Sequence, residues 1–196
     1  MNKASTVGWA IAAAAAAMLC ACHSTPTRMY SLDATAPTTR IATYSAPALR
    51  IDTLNVPASW DRIEILSPSA PGRLEINDFD HWPAPLAQIA RQTLSDDLDQ
   101  RLPSGSVVYP RLPKPDGALG IDVDILEFTV AASQASMRAS WLIVPAAGSQ
   151  SAKRSVAALQ APMTSTDAAA VAHAWSELIG QLADGIAADA ALFKMP

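Results

Sequence analysis

The stretch Leu19-Cys20-Ala21-Cys22 ends the N-terminal segment and constrains everything that follows it. Lys3 gives the chain a positive start, and a continuous apolar run, mostly alanine, extends from Val7 to Leu19. The run has 13 residues, whereas a helix needs about 20 to cross a bilayer. A charged start followed by a short apolar run and small residues is typical of a secretory signal peptide. We therefore expect residues 1–21 to be a cleaved signal peptide.

The end of this segment resembles the lipobox of bacterial lipoproteins. Leu19 stands at −3, Ala21 at −1 and Cys22 at +1 of the expected cleavage site. In such proteins the thiol takes a diacylglyceryl group and the freed amino group is acylated, so the resemblance implies lipidation of Cys22. Two lipid signals already give stable anchoring. His23 stands where aspartate usually marks inner-membrane retention, which favours the periplasmic face of the outer membrane. The alternative is an ordinary secreted protein with Cys22 near its cleavage site.

The mature chain left by this cleavage is acidic. Removing residues 1–21 from the 196-residue chain leaves 175 residues, enough for one domain with an ordinary core. Loss of Lys3 lowers the 14 Lys and Arg to 13 against 18 Asp and Glu, a net charge of −5. Nucleic-acid binding therefore has no electrostatic basis. Cys22 is the last cysteine, which excludes a disulfide or a thiolate metal site within the domain.

Short alternating segments predict a strand-rich domain over residues 29–196, joined to the membrane by a lipidated tether at 22–28. Strands are expected at 29–32, 48–56, 63–66, 73–76, 107–109 and 119–131, and around 137–143 and 155–160. The apolar parity changes within 48–56, which indicates either cover on both faces or a bulge near Thr53. A similar slip at Leu126-Glu127-Phe128 predicts a second bulge.

Two later segments have helical periodicity. Apolar residues recur every three or four positions from Pro85 and again from about Asp167, where Ser165 or Thr166 can serve as the cap. The two stripes are Leu86, Ile89, Ala90, Leu94, Leu98 and Leu102 in the first helix, and Val171, Trp175, Leu178, Leu182, Ile186 and Phe193 in the second. Two amphipathic helices need a surface to cover. We expect an α/β (α+β) fold, a single compact domain in which two long amphipathic helices pack on a mixed β-sheet.

Some expectations concern single side chains in these helices. Asp96, Asp97 and Asp99 lie off the first stripe and are expected in solvent. Gly180 and Gly185 each cost about 1 kcal/mol relative to alanine inside a helix, which indicates close packing or a kink there. Leu94 and Trp141 are expected to face each other between the first helix and the sheet, since each is central in its element.

Four residues around two tryptophans are the candidate partner-binding positions: Trp60, Asp61, Arg62 and Trp82. Asp61 and Arg62 could contact a partner or form an ion pair that fixes a turn, and we favour the ion pair. Trp82 could belong to a recognition patch or to the core at the start of the first helix. No catalytic residue, cofactor or metal site is predicted. A G-x-S-x-G elbow, an H-E-x-x-H motif and a phosphate-binding glycine loop are all missing from the sequence.

Several segments recur in a characteristic order: Tyr30-Ser31-Leu32 past the lipobox, the run from Val56 to Ile65, His81-Trp82-Pro83-Ala84-Pro85-Leu86, and the strands Val123–Phe128 and Ala139-Ser140-Trp141. Through these segments the whole mature chain resembles the ABC-type transport auxiliary lipoproteins, the PqiC/YmbA family. Departures from the family pattern are Trp60 for leucine, Ile63 for proline and His81 for arginine.

The resemblance implies a compact α/β sandwich and an accessory role without chemistry. It implies a PqiABC-like intermembrane lipid transport system, whose MCE-domain conduit this lipoprotein would dock at the outer membrane. The expected partners are the membrane through acylated Cys22, an MCE-domain protein with its inner-membrane permease and ATPase, and further copies of the same chain. The alternative function is a structural outer-membrane lipoprotein without a transport role.

Overall fold

A computed structural model describes residues 25–70, 72–145 and 151–193. The strands are β1 (Arg28–Met29), β2 (Leu49–Asn55), β3 (Glu64–Ala70), β4 (Arg73–His81), β5 (Leu119–Val130), β6 (Gln134–Val144) and β7 (Lys153–Pro162), and the helices are α1 (Leu86–Arg101) and α2 (Ala168–Ala190). The predicted signal peptide at 1–21 and the predicted lipidation site Cys22 lie outside the described residues. Within those ranges neither helix has the length and apolarity that a membrane span requires.

The strands form two sheets. The larger has the order β2-β5-β6-β7, and the smaller has the order β1-β4-β3. Strand β2 runs parallel to β5 and β1 parallel to β4, while the other neighbours are antiparallel. Helix α1 packs on β2, α2 packs on β6 and β7, and the two helices pack on each other. The α+β class with two long helices on a sheet is therefore confirmed. The expected single mixed sheet is divided, because β3 pairs with β4 instead of joining β2.

The β3–β4 hairpin is longer than the sequence pattern predicts. Strands were expected only at 63–66 and 73–76, with a turn at 67–72, but β3 continues to Ala70 and β4 to His81. Pro68 lies within β3, opposite Leu74. Proline is tolerated in edge strands, and β3 is the edge of its sheet. Gly72 occupies the turn with a φ of 73°, a conformation that glycine adopts without strain.

Both predicted bulges are present. The β2–β5 register shifts between Ile51 and Thr53, and the β5–β6 register shifts between Ile125 and Glu127. The predicted strand at 107–109 is reduced to one isolated bridge between Val107 and Leu49. The predicted first strand at 29–32 is reduced to β1.

The helix stripes form the interior as predicted. Leu94, Leu98 and Trp175 are each 0% exposed, and the same core extends through both helices. The cap of α2 differs from the expectation. Asp167 accepts a hydrogen bond from the backbone N–H of Ala170 at 2.9 Å, and the Ser165 hydroxyl donates to Asp167. Neither Ser165 nor Thr166 is the cap, because a carboxylate one position closer to the helix takes the role.

Trp141 lies against α2 rather than against Leu94 of α1. Its indole Nε1 donates to Asp189 at 2.9 Å. A Cβ added to Gly185 would lie 3.2 Å from the Trp141 ring, so Gly185 provides the space for this packing. The close packing expected at Gly185 is therefore confirmed, with Trp141 as its partner.

A loop from β1 crosses both helices and is held by buried charge. Asp97 accepts a hydrogen bond from the backbone N–H of Thr35 at 2.9 Å, and Arg101 donates to the Thr35 carbonyl at 3.2 Å. Arg101 also binds Asp184 of α2 at 2.6 Å. The expectation that Asp97 is in solvent is wrong, since it is 0% exposed. A Cβ on Gly180 would collide with the Thr35 hydroxyl, so this glycine lets the loop approach α2.

Candidate functional site

The predicted partner-binding tryptophans lie in the interior. Trp60 belongs to the turn between β2 and β3, where its backbone N–H donates to the Pro57 carbonyl at 2.8 Å. Trp82 follows β4, and its backbone N–H donates to the Ile63 carbonyl at 2.6 Å. The two residues are 5% and 3% exposed. A partner could therefore touch only the edge of either ring.

The predicted ion pair between Asp61 and Arg62 is not formed, because each of the two side chains bonds to another residue. Asp61 accepts a hydrogen bond from the backbone N–H of Ala87 at 3.1 Å, at the start of α1. Pro85 stands at the cap position of this helix and offers no side-chain hydrogen bond, so Asp61 supplies a partner for a free N–H group. Arg62 Nε lies 2.9 Å from Glu64 Oε2, and its hydrogen bond holds the pKa of that carboxyl below its usual range.

Trp60 is part of an aromatic cluster that joins the β2–β3 turn to β5 and α2. Its ring centroid lies 4.7 Å from that of Phe128, edge to face, and Phe128 stacks on Trp175 at 4.1 Å. Trp175 is fully buried. Edge-to-face and offset stacked pairs of this kind add about 0.5–1.5 kcal/mol each beyond their buried area. The cluster therefore forms a rigid floor beneath the surface.

An open apolar groove lies over this floor. It has a volume of 720 Å³ and runs between the β3–β4 hairpin and the β5–β6 turn. Its lining is Trp60, Pro68, Ser69, Ala70, Gly72, Arg73, Leu74, Phe128, Thr129, Val130, Ala131, Ala132 and Thr166. Arg73 is the charged member, and it pairs with Glu75 at 3.2 Å. Sequence reasoning found Trp60 but missed the groove, because its lining comes from four separate segments of the chain.

Asp80 of the hairpin is buried and paired. Asp80 is 1% exposed and accepts two hydrogen bonds from Arg28, the second at 2.8 Å, and a further one from Asn77. In the three described ranges no three His, Cys, Asp or Glu side chains are grouped so as to hold a metal ion. The geometry can accommodate an apolar segment of another molecule. The fold and the groove thus define a small α+β domain suited to binding.

Comparison with known proteins identifies the family. The family model for the ABC-type transport auxiliary lipoprotein component matches residues 30–187, so the chain belongs to that family. The family assignment based on the resemblance is confirmed. A search of curated proteins gave no match.

Two solved structures share the fold. A crystal structure of an uncharacterized protein is 16% identical with a TM-score of 0.66, covering 84% of this chain and 99% of that one. The crystal structure of protein XCC0632 from Xanthomonas campestris, of the family DUF330, is 15% identical with a TM-score of 0.61. That match covers 82% of this chain and 92% of the Xanthomonas chain. At these identities the likeness concerns the fold alone.

Proposed function

We propose that this lipoprotein is a membrane-anchored accessory subunit of an MCE/ABC-type lipid transport system of the PqiABC kind. In this proposal acylated Cys22 holds the domain on the periplasmic face of the outer membrane. The domain docks the periplasm-spanning MCE-domain conduit there and performs no chemistry of its own. Family membership supports the transport role, since the family is one of auxiliary components of ABC-type systems.

The groove over Trp60 and Phe128 is the observation that carries the docking role. An open groove with packed aromatic rings at its base is the kind of site that binds an apolar side chain of a partner. Asp61 is exposed in the same turn as Trp60 and can contribute a polar contact at the rim. We propose that an apolar segment of the MCE-domain protein occupies this groove.

Several copies of the domain would strengthen such a contact. A hollow conduit presents repeated binding positions, and a ring of copies around it converts weak individual contacts into stable attachment. We therefore include homo-oligomer formation in the proposal. Cross-linking in intact cells tests it, because a ring gives a ladder of multimers that ends at one size.

A pull-down tests the docking role. Tagged full-length protein is captured from detergent extracts, and the eluate is analysed for MCE-domain protein, permease and ATPase, and for lipids. Ala131→Glu places a charge in the groove, and Ala158→Glu makes the same change at an exposed position of β7. We expect the first variant to lose the MCE-domain protein and the second to retain it. Recovery of the lipoprotein alone, together with unchanged lipid asymmetry in a deletion strain, would leave only a structural role.

A further inference from the structure

The parallel pairing of β1 with β4 sets the direction from which the chain enters the domain. Arg28 is level with Asp80, and Met29 is level with His81. Because the strands are parallel, the residues before Arg28 lie on the side of the β4 residues before Asp80. That side leads toward the β3–β4 turn. The entry is fixed by the hydrogen bonds from Arg28 to Asp80 and by the Tyr30 N–H, which donates to the His81 carbonyl at 2.9 Å.

The tether is long enough to bring Cys22 level with that turn. Glu64 of β3 is level with His81, and Ala70 is level with Arg73. The six steps between Glu64 and Ala70 cover about 20 Å. Met29 follows Cys22 by seven residues, which can span at most about 25 Å. An acylated Cys22 can therefore reach the level of the turn, and a membrane that holds it can lie at that end of the domain.

The hairpin and β1 expose apolar side chains, of which Leu74 and Ile76 lie nearest the turn, whereas Phe79 and Met29 lie toward the other end of β4. Leu74, Ile76 and Phe79 of β4 are 42%, 49% and 42% exposed, and Met29 of β1 is 60% exposed. A single exposed apolar residue is ordinary, whereas several on one small sheet indicate a contact surface. Arg73 and Glu75, which flank Leu74, pair with each other and so bring no net charge to this part of the hairpin.

We propose that the β3–β4 hairpin lies against the same bilayer that holds Cys22, with Leu74 and Ile76 in contact with lipid. This inference rests on the lipidation in the proposed function and adds that the folded domain itself touches the membrane in one orientation. Leu74 is also a wall of the groove. The groove then opens beside the bilayer, so that a docked conduit would end at the membrane surface.

Fluorescence of the acylated full-length protein tests the contact. The mature chain has no cysteine besides Cys22, whose thiol the lipid blocks, so Ile76→Cys can be labelled specifically with an environment-sensitive dye. Leu74→Cys provides a second probe position. Val156→Cys is the control, since Val156 is 61% exposed on β7 of the other sheet. Each protein is reconstituted alone into vesicles of phosphatidylethanolamine and phosphatidylglycerol that contain lipids with a quencher on the acyl chain.

We expect several-fold stronger quenching at Ile76→Cys and Leu74→Cys than at Val156→Cys. Equal quenching at all positions would overturn the inference. Quenching at the hairpin positions that appears only after an MCE-domain protein is added would overturn it as well. Mass analysis of the Cys22 peptide precedes the measurement, and an unmodified Cys22 would overturn the inference together with the anchor. The pull-down separates the two proposals, because an acylated protein that captures the conduit but shows no quenching contradicts only the membrane contact.

Discussion

Asp97 and Arg101 meet one turn apart on α1, with Arg101 Nη1 2.9 Å from Asp97 Oδ1 and only 0% and 1% of the two side chains exposed. Burial raises the pKa of Asp97 from 3.8 to about 6, although the Thr35 N–H and the Arg101 charge oppose the shift. The free-energy cost of removing the Asp97 charge from water exceeds the stabilisation that its pairing with Arg101 provides. The loop that contains Thr35 is therefore held by a carboxylate that titrates close to neutral pH.

Asp97→Asn should change how stability depends on pH. Between pH 3.8 and about 6 the folded protein binds a proton at Asp97 more tightly than the unfolded chain. The contribution of this group is thus fully present below pH 3.8 and is lost as the pH rises through about 6. Asparagine does not titrate. We expect the cost of the substitution to be larger at acid than at neutral pH, by up to about 3 kcal/mol. Urea unfolding of both proteins across this range measures it, and a constant difference would contradict the prediction.

Gly180→Ala should destabilise the protein even though alanine favours helix by about 1 kcal/mol. The new methyl group collides with the Thr35 hydroxyl and pushes the loop away from α2. We expect a net loss of about 1–2 kcal/mol, as in other overpacked sites. Thermal unfolding provides the measurement. Adding Thr35→Ala should recover part of the loss, since it removes the colliding oxygen, and a strictly additive double variant would argue against this contact.

Asp189→Ala should cost about 1–3 kcal/mol, because it leaves the Trp141 indole N–H without an acceptor. A carboxylate near a helix C-terminus is unfavourable by itself, but this one accepts from Trp141 and Ser155 and pairs with Lys153 at 2.8 Å. Burial raises its pKa, and these three donors outweigh burial, so the pKa is lowered overall.

The pH dependence of the Asp189→Ala cost should therefore be opposite to that of Asp97→Asn. The contribution of Asp189 is present above its ordinary pKa and is lost as the pH falls below about 4. Lys153→Met is the matched control, since it removes only a partly exposed ion pair worth at most about 1 kcal/mol. Urea unfolding of both variants measures the two costs. Equal costs would assign the stabilisation to the ion pair instead of to Trp141.

The local sequence pattern predicted much of this fold but little of the candidate functional site. The stripe through Leu94 and Leu98 follows from a helical period, and the bulge near Thr53 follows from a change of parity within one strand. The length of the β3–β4 hairpin could not be predicted, because Pro68 is acceptable only when its strand is an edge. The burial of Asp97 could not be predicted either, because the loop that covers it contains Thr35, which lies 62 positions earlier in the chain.

The groove was hidden for a similar reason. Trp60, Leu74 and Phe128 belong to separate segments that meet only in the folded chain. The sequence segment around Trp60 made it a candidate, but its burial places the ring beneath the groove and not on the surface.

Cys22→Ser should block maturation of the precursor. Serine has no thiol with which to form the thioether to diacylglycerol, so residues 1–21 should remain attached to the chain. The larger mass of this precursor would be visible by electrophoresis. A second variant distinguishes anchoring from processing: the chain from His23 onward, exported by a plain secretion signal, should be recovered in the soluble periplasmic fraction. The hairpin alone provides too little apolar surface to replace acyl chains, each of which contributes about 0.8 kcal/mol per buried methylene. Recovery of this truncated chain in the membrane fraction would show that Cys22 is not the principal anchor.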